Sequence, residues 1–88
     1  GLERPLAELT GELFAPHTEV FRGAKCSISA AEGQTPCLTV RKGRRTLRVP
    51  AYGSVAYLDG KPLKLRSAVV YIDRNDTFYL PRELGEKF

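Results

Sequence analysis

From Thr18 onward, apolar residues recur at every second position in short runs, and Gly, Pro, Asn or Asp closes each run. Period two is the signature of strands with one buried and one wet face. Runs separated by tight-turn residues predict hairpins. The strongest single signal is Asp59-Gly60, between "SVAYL" and "KPLKL". Both central positions of the turn expected there need φ > 0, which Asp and Gly tolerate. A chain built this way is a succession of antiparallel hairpins.

The first such segment is "TEVFRG", residues 18–23, read as a short strand. "KCSISA" follows, with Cys26, Ile28 and Ala30 on one side. "AEGQTP" supplies turn residues, and "CLTVRK" alternates again with Leu38 and Val40 facing one way. Lys42-Gly43 marks the next turn. "RRTLRVP" then directs Leu47 and Val49 inward and Arg44, Thr46 and Arg48 outward, matched by Thr39 and Arg41 on the partner strand. Val55 and Tyr57, and then Leu63 and Leu65, alternate around the Asp59-Gly60 turn. The last hairpin, "AVVYIDRNDTFYLP", turns at Asp73 to Asp76.

Two helices frame these strands. In "RPLAELTGELF", residues 4–14, Pro5 suits a first helical turn, and Leu6, Leu9 and Leu13 share a face. Gly11 weakens that segment, and Ala15-Pro16 stops it. Pro81 opens the second helix, "PRELGEKF". With 88 residues, 42% apolar and 27% charged, the chain is one small domain with a thin margin of stability. The expected fold is α+β: a curled antiparallel sheet of consecutive hairpins packed with one or two short helices.

The two ends echo one another, each with a Pro, then Leu and Gly, then a Phe. That suggests a cut from a tandem array, with residues 1–16 ending a preceding repeat and 17–88 forming one module with its closing helix. The absence of Met points the same way, to a fragment or processed product. No apolar run approaches the ~20 residues that cross a bilayer. Glu3, Glu8 and Glu12 make the start unlike a signal peptide.

Cys26 and Cys37 are the only cysteines, with ten residues between them. A metal site needs more ligands than two Cys and the lone His17 provide. They read as a disulfide across the hairpin, contributing on the order of 3 kcal/mol, and hence as a mark of an oxidising compartment. The competing reading is two unpaired, buried thiols.

Catalytic chemistry finds no constellation. His17 follows Pro16 in a segment expected to be an exposed loop, and no nucleophile motif surrounds Ser27, Ser29, Ser54 or Ser67. Glu83 and Glu86 read as a wet helix face. No phosphate-binding glycine loop occurs. Asn75-Asp76-Thr77 fits an N-glycosylation pattern but sits at a hairpin tip, where turn geometry favours the same residues. Tyr52, Tyr57, Tyr71, Tyr79 and Phe78 could form a stacking platform, although the parity of Tyr57 and Tyr71 assigns those two to the core.

The remaining feature is charge. Arg41, Lys42, Arg44, Arg45 and Arg48 are five of the 14 basic residues, and no acid occurs from Gly33 to Leu58; the net charge is +4. Alternation alone explains arginines on the wet side of a strand. Two functional readings stand beside that one: docking on an anionic surface, and binding of a polyanion or nucleic acid. No RNP-like, zinc-finger or helix-turn-helix pattern supports the last.

The segment "AYLDGKPLKLRSAVVYIDRNDTFYLPRELGEKF" resembles the copper amine oxidase N-terminal-like, or stalk, domain family. The matching elements are the Asp59, Gly60, Lys61, Leu63 and Leu65 hairpin, then Val69, Val70 and Ile72, then Phe78, Leu80, Pro81, Arg82, Leu84 and Gly85. Pro5, Leu6, Leu9 and Gly11 resemble the same helix of a preceding repeat. The short helix and the Cys26/Cys37 pair depart from the pattern. The resemblance implies a non-catalytic, extracytoplasmic stalk, spacer or attachment module of a bacterial envelope or secreted protein. It would be secreted, in the cell wall or in the periplasm, with neighbouring domains of the parent protein as partners. Wall polymer or another anionic surface, and pairing of two modules through sheet edges, are further expected partners. No cofactor is expected; an amine-oxidase copper site needs several imidazoles, and only His17 is present.

Overall fold

The computed structural model describes residues 14–88. The helix expected over residues 4–14 lies outside the described residues, except that Phe14 begins a strand. The elements are β1 (Phe14–Pro16), α1 (His17–Val20), β2 (Lys25–Ser29), β3 (Cys37–Lys42), β4 (Arg45–Pro50), β5 (Val55–Leu58), β6 (Lys61–Lys64), β7 (Val70–Ile72), a 3-10 turn (Asp73–Asn75), β8 (Thr77–Pro81) and α2 (Glu83–Lys87). The fold is α+β and all strand pairing is antiparallel. The strands divide into a five-stranded meander, β2-β3-β4-β5-β6, and a three-stranded sheet, β1-β8-β7.

The turns follow their residues. Asp59 and Gly60 take φ 51° and 86°, the two positive values that a two-residue hairpin turn of this kind needs. The β3–β4 turn falls at Gly43-Arg44, one residue later than Lys42-Gly43, because Lys42 is still paired with Arg45. Between β7 and β8 the chain passes through the 3-10 turn and then Asp76, at φ 50°.

Residues 18–23 are not a strand. Pro16 stands at the helix N-cap position, and Phe21 donates its backbone N–H to His17 O at 2.9 Å. His17 and Phe21 are both buried and Val20 is half-buried. Those positions are i, i+3 and i+4, one face of a helical turn, so this segment obeys the helical period that the alternating pattern hid.

The core lies where the inner face of the five-stranded sheet meets the smaller sheet and both helices. Leu38, Val40, Leu47, Val49 and Ala56 come from the first; Tyr71, Phe78 and Leu80 come from the second; Phe21 and Leu84 come from the helices. β8, flanked by β1 and β7, has four buried residues of five. Gly85 explains how closely the helices approach. A Cβ there would sit 2.6 Å from Val20 O and 3.0 Å from Val20 Cγ1, so only glycine lets α2 rest on α1.

Candidate functional site: the outer face of the meander

With one face of the meander in the core, the other is left open. Cross-strand partners share a face, so the register fixes what the open face carries. Arg41 is opposite Thr46 and Lys25; Arg48 is opposite Thr39 and Tyr57; Tyr57 is opposite Pro62; Val55 is opposite Lys64. The central row therefore runs Ser27, Thr39, Arg48, Tyr57, Pro62 across all five strands. Directly opposed side chains such as Arg48 and Tyr57 have Cβ atoms about 5 Å apart.

The basic residues expected to act together are split by this geometry. All five are exposed. Arg41 and Arg48 lie on the outer face. Lys42 and Arg45 pair with each other on the inner parity, at a strand end beyond the core. Arg44 occupies the turn and does not extend the outer row. Arg45 is further committed by a 3.0 Å bond from its guanidinium to Phe88 O. The sheet adds Lys25 and Lys64 to the open face, which sequence reasoning did not include. Their signal was pairing register, not proximity in the chain.

Tyr57 corrects a second expectation. It is 41% exposed and faces outward, because Leu58 pairs with Leu47 and small Ala56 takes the inward position. Tyr71, Tyr79 and Phe78 are buried, while Tyr52 is exposed in the β4–β5 loop, at φ 64°. The Tyr52 hydroxyl donates to Tyr71 O at 3.2 Å, and its backbone N–H donates to Val69 O at 2.7 Å. The aromatic residues therefore form no common platform.

An open hollow of about 610 Å3 lies on the outer face, lined by Cys37, Thr46, Arg48, Pro50, Tyr57, Asp59 and Gly60. Asp59 is fixed at its rim: the Thr46 N–H donates to Asp59 Oδ1 at 2.9 Å, and the Asp59 N–H donates to Thr46 O at 2.8 Å. Among the described residues on this face, Asp59 is the acid and Lys25, Arg41, Arg48 and Lys64 are the bases.

Cys26 and Cys37 do not meet. The expected hairpin forms, but Cys26 is opposite Val40 and Cys37 is opposite Ser29. Val40 has the inner parity and Cys37 the outer, so the thiols project to opposite faces. Both are free. Partial burial pushes the Cys26 thiol above its ordinary value.

His17 is buried, not loop-exposed. Its Nδ1 accepts the Phe78 N–H at 3.1 Å, which leaves the proton on Nε2. Burial holds its pKa below the ordinary 6.5, against an opposing pull from the Asp76 charge. Asn75 is tied into the same turn, its Nδ2 donating to the Tyr79 hydroxyl at 3.2 Å. Among the described residues, no group of three or more His, Cys, Asp or Glu is placed to hold a metal ion. No helix among them is long and apolar enough to cross a membrane.

Comparison with known proteins gives no matching family model, no matching curated protein and no matching solved structure. The resemblance of residues 57–85 to stalk domains thus rests on those residues themselves.

Proposed function

We propose that this chain is a non-catalytic module of a larger extracytoplasmic bacterial protein, a stalk or spacer whose open sheet face attaches it to an anionic surface. The observation that carries the attachment is the outer face of the meander. Among the described residues, Lys25, Arg41, Arg48 and Lys64 share it with a single acid, Asp59. A surface with that balance favours polyanions and loses affinity as salt rises. The spacer role and the extracytoplasmic setting are supported by the stalk-like residues 57–85. The cysteines, free and on opposite faces, add no support for an oxidising compartment.

Co-sedimentation with purified bacterial cell walls at physiological salt tests the reading. The wild-type chain should pellet, and Arg41→Glu/Arg48→Glu should stay in solution. Arg44→Glu/Arg45→Glu, which changes the same charge off this face, should still pellet. If the wild-type chain does not pellet, the arginines are only the wet side of a sheet and the attachment role is lost. Equal retention on nucleic acid and on walls would favour a general polyanion-binding domain instead.

A further inference from the structure

We infer that the hollow around Tyr57 and Arg48 is a subsite for an anionic sugar unit, one carrying a carboxylate or phosphate group. This rests on the attachment reading and specifies what the attached polymer presents. Its volume of about 610 Å3 falls in the range of small-molecule sites, roughly 300–1,000 Å3. It also combines three chemistries that such a unit needs.

The first is an aromatic plate. Tyr57 is the large side chain exposed at the hollow, 41% accessible, with an apolar ring face and a polar hydroxyl. The flat C–H face of a sugar ring suits it. The second is a fork. Arg48 stands directly across the strand pair from Tyr57, and guanidinium recognises carboxylate or phosphate with two parallel hydrogen bonds. Arg41 and Lys25, one row away, extend the positive field for further units. The third is a pair of groups for hydroxyls. Asp59 has only Oδ1 committed, to the Thr46 N–H, and a carboxylate offers a second accepting oxygen. The Thr46 hydroxyl both donates and accepts.

Asp59 also sets the direction of specificity. A carboxylate beside the fork repels a continuous run of phosphates but accepts bonds from sugar hydroxyls. A single aromatic plate likewise gives no second position for successive stacked bases, which single-stranded nucleic acid binders use. Neutral sugars would leave the guanidinium of Arg48 without its counter-charge.

NMR shift titration of the whole chain decides the matter, with an oligogalacturonate, a neutral maltooligosaccharide and inorganic polyphosphate as probes. The oligogalacturonate should move the Thr46, Arg48 and Tyr57 signals saturably, and the neutral sugar should not. Tyr57→Ala should weaken binding about tenfold, ~1.4 kcal/mol, while Tyr57→Phe keeps it and Arg44→Gln leaves it unchanged. If polyphosphate binds as tightly and Tyr57→Ala changes nothing, the sugar subsite is overturned while the charged attachment face survives. If no anionic probe shifts the face, both readings fall together.

Discussion

The imidazole of His17 accepts the backbone N–H of Phe78 at 3.1 Å while standing edge-on to the Phe78 ring, centroids 6.4 Å apart. One side chain thus joins α1 to the central strand of the smaller sheet, 61 residues away in the chain.

Protonation would place a proton where Phe78 donates. With the folded pKa below 6.5, the unfolded chain takes up its proton first as pH falls. The stability held above pH 6.5 is then lost progressively below it, until the folded imidazole also titrates. Thermal melts of the wild-type chain should show this loss. His17→Asn, whose amide oxygen offers an acceptor near Nδ1, should be less stable near neutrality but should fall less on acidification. Parallel pH profiles for the two proteins would remove His17 as the cause.

Gly85 makes the opposite of the usual helix prediction. Replacing a mid-helix glycine by alanine normally stabilises by roughly 0.5–1 kcal/mol. Here the added Cβ meets the backbone oxygen of Val20 at 2.6 Å, and backbone cannot yield as a flexible side-chain end does. Gly85→Ala should destabilise by about 1–3 kcal/mol, as overpacking does. Denaturant unfolding measures it, and a variant as stable as the wild type would mean that the helices are not in this contact.

Cys26 and Cys37, on opposite sides of the meander, should both alkylate in the denatured chain without prior reduction. In the folded chain Cys26, exposed on edge strand β2, should react before half-buried Cys37. Its raised thiol pKa makes that reaction steepen at alkaline pH. A chain that alkylates only after reduction would require a different β2–β3 register.

The cysteines show where the sequence could be read further. Leu38 and Val40 face inward, and Cys37, one residue before Leu38, must then face outward. Cys26 shares its parity with Ile28, whose partner Leu38 is buried. The alternation that predicted the hairpin already denied the bond across it. The hairpins, the Asp59-Gly60 turn and most of the core were legible because period two and turn chemistry are local; the second helix was legible in place, but it begins at Glu83 and not at Pro81, which still pairs with Phe14 in β8. What escaped was set by pairing over distance. Tyr57 faces outward because the Leu47–Leu58 pair decides the parity of β5, and nothing within "VAYL" does. His17 is buried because a strand from the far end of the chain supplies its donor. The docking arginines looked contiguous, yet the parity of β3 and β4 divides them.

The Tyr71 hydroxyl donates to Asp76 Oδ1 at 2.5 Å, and that bond, with burial and the nearby acidic charge, pushes its pKa up to about 12. In the unfolded chain the phenol titrates near 10. As pH climbs above 10, the unfolded state therefore loses its proton first. The stability that the neutral phenol secures is present below pH 10 and is lost between 10 and about 12. Asp76→Asn keeps a hydrogen-bond acceptor and tolerates the positive φ of 50° at this position, but removes the charge. Absorbance titration should then show one tyrosine ionising earlier than in the wild-type chain. The variant should be less stable than the wild-type chain below pH 10 and should lose less stability between 10 and about 12. If the absorbance curves of the two proteins coincide, the carboxylate does not hold the Tyr71 proton, and the β7–β8 turn is held by its other bonds, from Asn75 Nδ2 to the Tyr79 hydroxyl and from the Thr77 hydroxyl to Asn75 O.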